Sequence, residues 1–169
     1  MDFYDVIQRR CSVRKYQNRP VEDDKLTRIL NAGRLAPSGR NRQEWKFVVV
    51  REEDTRAALA AASEQPWLAR APVIIAVAGL NPDRVMSCGI AADPVDCAIA
   101  IDHMVLAATA EGLGACWVGH FSQEACCQIL DVPATAKIIE MLAMGYSDQA
   151  CAPKTRKGLD EVVSYERFT

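Results

Sequence analysis

The chain alternates between stretches patterned for helix and short runs patterned for strand. In "MDFYDVIQRR" (1–10), Phe3, Val6, Ile7 and Arg10 recur at helical spacing, which predicts a short helix. "EDDKLTRILNAGRLAP" (22–37) opens acidic and carries Leu26, Ile29, Leu30 and Gly33 on one face. A second helix is predicted there, ending before Pro37. "KFVVVR" (46–51) is a β-branched run that predicts a buried strand, and "REEDTRAALAAAS" (51–63) predicts a helix. "APVIIAVAGL" (71–80) predicts a second strand, closed by the turn "NPD".

The longest helix is predicted over "DPVDCAIAIDHMVLAATAEGLG" (93–114). Pro94 suits its first turn, and Gly112 and Gly114 mark its end. Val95, Ala98, Ile99, Ile101, Met104, Val105, Leu106 and Ala107 make it apolar on most of its surface. Such a helix is expected in a core or at a subunit interface. "ACWVG" (115–119) reads as a strand, "SQEACCQIL" (122–130) as a helix capped by Ser122, and "KIIEMLAMGYS" (137–147) as a strand ending in a turn. The tail from Pro153 begins basic and then alternates loosely. Helices and strands mix without strict βα alternation, so the fold class is α+β. No repeat or linker interrupts the order, and residues 1–169 read as a single domain.

Half the residues are hydrophobic and a quarter are charged, enough for a real core. The net charge of -2 argues against nucleic acid as a partner. No apolar run reaches the ~18–20 residues that span a bilayer, so no membrane association is expected. The acidic, amphipathic N-terminus is unlike a signal peptide, and a cytoplasmic location is expected. The seven cysteines are irregularly spaced, without a C-x-x-C, and the two histidines do not pair with them at zinc-finger spacing. They are expected to be reduced thiols acting as small buried residues, with no metal bound.

Three stretches could carry chemistry. "RRCSVRKY" (9–16) concentrates Arg9, Arg10, Arg14 and Lys15, and "KTRK" (154–157) adds Lys154, Arg156 and Lys157 near the other end. If the fold joins them, they form a pocket for a phosphate or another dianion, with Ser12 as a hydroxyl donor. Otherwise they are two solvated patches. "APSGRNRQEW" (36–45) is an ordered polar loop whose Asn41 and Gln43 amides suit the polar edge of a planar heterocycle. It reads equally as a helix-to-strand connection with Trp45 plugging the core. In "GLGACWVGHF" (112–121), glycines allow close backbone approach to a ligand, or serve only as a C-cap before a strand. The order helix–glycines–strand is the reverse of a dinucleotide fingerprint. No Walker A, G-x-S-x-G or H-E-x-x-H motif occurs.

Together these stretches resemble the nitroreductase family of FMN-dependent enzymes. "RRCSVRKY" resembles the family's R-R-x-S-x-R-x-[YF], and "APSGRNRQEW" resembles A-P-S-x-x-N-x-Q-P-W. "AATAEGLGACWVGHF" resembles A-x-x-x-G-L-G-x-x-W-x-G. "MGYSDQACAPKTRKGLDEVV" resembles the closing G-Y-P…P-x-x-K-x-R-x-x-x-x-E-[FV]-V. The matches run in family order from residue 3 to about residue 163.

The resemblance implies a central, mainly antiparallel sheet flanked by helices, in an intertwined homodimer with flavin sites at the interface. It implies FMN as cofactor and NADH or NADPH as electron donor. The activity it implies is ping-pong reduction of nitroaromatic, quinone or similar small acceptors. The alternative is a non-catalytic flavin-binding protein, a sensor or carrier. Carried over position by position, Arg10, Ser12, Lys154 and Arg156 would hold the FMN phosphate, with Cys11 among them. Arg14 would face the N1–C2=O edge of the ring, where a cation stabilises the anionic reduced flavin. Pro37, Ser38, Gly39 and Asn41 would reach the flavin bound mainly by the other protomer. Gly119 would place its backbone N–H against flavin N5, flanked by Val118 and His120. No side chain is assigned as catalytic. Arg9 and Lys15 would lie outside the pocket. The sequence departs from the pattern at Glu44, where the family often has proline, and is short between the second strand and the long helix. A more open pocket, with an acidic charge near its entrance, is expected.

Overall fold

The computed structural model describes residues 1–168. Five helices and four strands follow in the order α1 (Phe3–Arg9), α2 (Asp23–Arg34), β1 (Trp45–Val50), α3 (Glu53–Ala62), β2 (Val73–Gly79), α4 (Ala92–Ala110), β3 (Gly114–Val118), α5 (Gln123–Ile129) and β4 (Lys137–Gly145). Each corresponds to an element predicted from the pattern, but β1 is not the buried strand expected: it lies at the edge of the sheet, with Lys46 and Val49 exposed and only Val50 fully buried. Single 3-10 turns occupy Gly39–Asn41, Pro66–Arg70 and Leu159–Glu161. The Asp2 carboxylate caps α1 by accepting the Asp5 N–H at 2.8 Å, and the Ser122 hydroxyl caps α5 by accepting the Ala125 N–H.

The sheet runs β1-β2-β4-β3, and every pair is antiparallel. β2 is buried along its whole length because it lies between two strands and under helices on both faces, which explains its unbroken apolar run. Val73, Ile75 and Val77 face α2 and α4, together with Leu142 and Met144 of β4. Ile74 and Ala76 face the opposite layer, with Leu59 of α3, Cys126 of α5, and Met141 and Ala143. Between Val77 and Ala78 the register shifts, so that β4 carries an extra residue at Ile139. That bulge puts Ile138 on the same face as Met141, which strict alternation would forbid.

α4 is buried along Ala92, Asp96, Cys97, Ala100, Ile101, Met104, Val105 and Ala108, while Val95, Ile99 and Leu106 keep some exposure. Its outer side is therefore still apolar within one protomer. Among the described residues no helix is long and apolar enough to cross a membrane.

The expectation for the cysteines is also corrected. Cys11 and Cys151 are joined in a disulfide, not held as separate thiols. They lie 140 residues apart in sequence, but the fold brings their Cα atoms to 6.0 Å, within bridging distance. Sequence spacing cannot show that approach. The other five cysteines are free: Cys97, Cys116 and Cys126 buried, Cys127 half-buried and Cys88 exposed.

Candidate functional site

The first basic stretch is stitched onto the ends of β3 and β4. Arg10 closes α1 through its N–H to the Val6 carbonyl at 2.9 Å. Ser12 then bridges Ala115, and the Val13 N–H donates to the Ala115 carbonyl at 3.1 Å. The Gln149 side-chain oxygen accepts the N–H groups of Arg14 (2.9 Å) and Lys15 (3.0 Å). The buried Tyr16 hydroxyl donates to the Val13 carbonyl at 2.6 Å. Main-chain pairing thus fixes the path of residues 10–16 and leaves the Ser12 and Arg14 side chains exposed.

The second basic stretch comes back to the first. Lys154 Nζ donates to the carbonyls of Ile7 (2.7 Å) and Gln8 (2.5 Å) in α1. Its pKa is lowered, by desolvation first and then by the neighbouring charges of Arg10 and Arg156. Arg10, Lys154 and Arg156 therefore share one electrostatic neighbourhood, and among the described residues none of them forms an ion pair with a carboxylate. Three cations held together without a counter-charge favour an anion. Cys116 lies close to Arg14, Ser12 and Arg10. Burial pushes its thiol pKa up, while Arg14, the Ser12 hydroxyl and Arg10 act in the opposite direction. The Arg14 guanidinium stands 5.9 Å from the centre of the Trp67 ring. It rims an open cleft shared with Lys15, Arg70 and Gln149.

The polar loop is held elsewhere, against the start of α4. The Gly39 N–H donates to Asp96 Oδ1 at 3.0 Å, and the Gln43 N–H donates to the Ser38 hydroxyl at 2.9 Å. Arg40, Asn41 and Gln43 all adopt left-handed backbone, with φ of 55°, 54° and 54°. Asn tolerates that region, whereas Arg and Gln rarely adopt it, so the surrounding bonds must hold the loop in shape. Pro37 and Asn41 are exposed; Ser38 and Gly39 are half-buried.

Arg84 organises the anchor. Its Nη2 meets Asp96 Oδ2 at 2.6 Å and its Nε meets Glu44 Oε2 at 2.7 Å. The hydrogen bond to Asp96 is the main reason its pKa is raised. Asn81 donates its side-chain amide to Glu44 and its N–H to Asp93. Glu44 is thus ion-paired with Arg84, which it shares with Asp96, and Arg42 Nη1 lies 3.8 Å from its other oxygen. Cys97 lies in the same region. Its thiol pKa is pushed up to about 12, chiefly by burial and then by Asp93 and Asp96, which leaves it chemically inert.

Val118, the last residue of β3, is buried, whereas Gly119 and His120 beyond it are exposed. A side chain at Gly119 would place its Cβ 3.0 Å from Glu140 Oε1. Glu140 sits on β4 with Oε2 buried and without a hydrogen-bond partner, and burial raises its pKa. The His120 side chain is 74% exposed, with Nε2 3.8 Å from a Glu64 oxygen.

The fold therefore gathers Arg10, Ser12, Arg14, Lys154 and Arg156, with Cys11 bonded to Cys151 at their side. Val118 and Gly119 follow on the strand that Ser12 bridges. Pro37, Ser38, Gly39 and Asn41 form a separate loop, and among the described residues no hydrogen bond joins that loop to the cation cluster. Sequence reasoning missed Asp96, Arg84 and Glu140. The signal was present: each carboxylate interrupts an apolar run, Asp96 in α4 and Glu140 in β4. A second group of arginines, Arg19, Arg51, Arg56 and Arg70, lines a pocket beside Pro20 and Pro72. Three of these are engaged within the chain. Arg19 pairs with Glu22, Arg51 with Asp23, and Arg56 donates to the carbonyls of Ala69 and Ala71.

The model of the nitroreductase family matches residues 7–67 and 60–146. The chain belongs to the nitroreductase family. A nitroreductase family protein from Clostridium difficile 630 is similar along almost the whole chain. It is 34% identical, with a TM-score of 0.90, covering 99% of this chain and 100% of that one. An FMN-dependent nitroreductase from Clostridium difficile R20291 is 26% identical with a TM-score of 0.83, covering 96% and 98%. A putative NADH dehydrogenase/NAD(P)H nitroreductase of Archaeoglobus fulgidus is 27% identical over 83% of each chain. The antiparallel sheet flanked by helices is the nitroreductase fold, as the sequence motifs implied.

Proposed function

We propose that the protein is an FMN-dependent oxidoreductase that takes hydride from NADH or NADPH and passes electrons to nitroaromatics, quinones or similar small acceptors. The observation that carries this reading is the uncompensated cluster of Arg10, Lys154 and Arg156 beside Ser12. A phosphate dianion matches that donor set in charge and in the hydrogen-bond donors it needs. Similar proteins described as an FMN-dependent nitroreductase and as an NAD(P)H nitroreductase support the choice of cofactor and donor.

FMN, when bound, supplies the two-electron carrier. The chain's own residues bind and orient it. Arg10, Ser12, Lys154 and Arg156 hold the phosphate, with Cys11 alongside. Arg14 would supply a positive charge to the flavin ring, which would favour its taking up electrons. Gly119, free of a side chain and flanked by Val118 and His120, would offer its backbone N–H to the flavin ring. The Pro37, Ser38, Gly39 and Asn41 loop serves the site of the other protomer. Its anchorage away from the cation cluster, and the apolar outer side of α4, support a homodimer with shared sites. Donor and acceptor use the same space in turn, a ping-pong order. His120 is too exposed and too loosely held to be assigned a proton-donating role.

FMN titration of Arg10→Ala and Arg156→Ala tests the phosphate assignment. Each variant loses a charge-assisted contact, about 1.5–3 kcal/mol of binding. Unchanged affinity in both would contradict it. A mixed dimer of Arg10→Ala and Asn41→Ala protomers tests the shared site. It should regain one intact flavin site, and a mixture with none would contradict the two-protomer geometry.

A further inference from the structure

The Cys11–Cys151 pair lies between the two halves of the cation cluster. Cys11 is set between Arg10 and Ser12, and Cys151 lies just before Lys154 and Arg156. From Ala150 through Phe168 every residue is exposed, so this arm contributes little to the core. At its base are the disulfide and the two hydrogen bonds from Lys154 to α1. We propose that Cys11 and Cys151 form a thiol–disulfide exchange site, open to dithiol reductants, whose redox state sets how tightly the protein holds FMN. The proposal rests on the flavin reading above.

Geometry makes the bond matter to the anion site. With the disulfide closed, Lys154 and Arg156 are tethered to the loop that carries Arg10 and Ser12. Their effective concentration at the phosphate position is then high. With it open, an exposed arm must dock against mutual repulsion among three cations, held at its base by an exposed lysine. The ordering cost then falls on FMN binding.

The chemistry of the pair suits exchange. Cys151 is exposed and Cys11 is half-buried, so an incoming thiolate meets the Cys151 sulfur first. Attack there forms a mixed disulfide at Cys151 and expels Cys11 as a thiolate beside Arg10 and Arg14, cations that stabilise a leaving sulfur anion. The second thiol of the reductant then releases Cys151. Two electrons and two protons pass from the dithiol to the protein, which gains two thiols while the reductant becomes a disulfide. The buried Cys97, Cys116 and Cys126 are inaccessible to the same reaction.

The experiment compares FMN affinity of the protein as isolated without reductant and after reduction with dithiothreitol, with a thiol titration on each sample. Five accessible-on-denaturation thiols are expected in the oxidised form and all seven in the reduced form. FMN Kd should rise about tenfold or more on reduction, the loss of roughly one charge-assisted contact. Cys151→Ser should show the weaker affinity in both buffers. Seven thiols in the protein as isolated, or a Kd that is equal in both forms, would overturn the switch alone. No FMN binding by either form would overturn the flavin reading, and the switch with it.

Discussion

The backbone N–H of Gly39 donates to Oδ1 of Asp96 at 3.0 Å, across 57 residues of chain. The second oxygen of the same carboxylate meets Arg84, which also holds Glu44. One side chain thus shapes a loop containing three left-handed residues and pairs with the arginine behind it. Asp96→Ala should lower Tm, because it leaves Arg84 short of a partner in a largely buried position. It should also weaken FMN binding in the dimer. Asp96→Asn retains an acceptor for Gly39 but not the charge, so it should lower Tm while sparing much of the flavin affinity. Thermal melts and FMN titrations of both variants check this. Identical behaviour of the two would contradict a separate role for the Gly39 bond.

Glu140 predicts a pH signature. Its pKa is raised from the usual 4.5 by burial, so the folded state favours the neutral carboxyl. Below the unfolded value both states are protonated, and the side chain carries no ionisation penalty. As pH rises through the raised folded value, that advantage is lost. Glu140→Gln should therefore gain stability relative to wild type as pH climbs above about 4.5, with the gap levelling off above the raised pKa. Chemical denaturation across that range measures it, and a gap independent of pH would contradict a carboxyl whose Oε2 is desolvated.

Gly114 stands where β3 meets the N-terminal stretch, and a Cβ there would collide with the Val13 side chain. Gly114→Ala should destabilise the fold by about 1–3 kcal/mol through overpacking. For a chain of this size that lowers Tm by about 2–4 °C per kcal/mol. Because Val13 carries the path between Arg10 and Arg14, flavin affinity should fall as well. A variant that melts like wild type would show that the stretch can shift away without loss.

The periodic elements were legible because burial imposes their pattern. β2 lies between two strands with helices on both faces, so its run from Val73 to Ala78 had to be apolar. The end of α4 was marked by Gly112, which adopts a left-handed conformation. The cation cluster was legible as two basic stretches, but their meeting depends on Lys154 reaching α1 from the far end of the chain. Asp96 stood out as a carboxylate in an apolar helix, but its pairing with Arg84 and Glu44, the Cys11–Cys151 bond and the bulge at Ile139 were not legible. Each depends on an approach between distant elements that no local pattern encodes. The departure at Glu44 shows this directly. In sequence it reads as an unpaired charge in a loop, and only the fold supplies Arg84 as its partner.

The central claim is that this chain binds FMN and reduces it with a nicotinamide donor. The most direct test is an absorbance spectrum of the purified protein after FMN addition and desalting, followed by NADH and then NADPH under anaerobic conditions. The account predicts a retained flavin band that bleaches within seconds with one of the two donors. A protein that retains no flavin, or a retained band that neither donor bleaches, would contradict it.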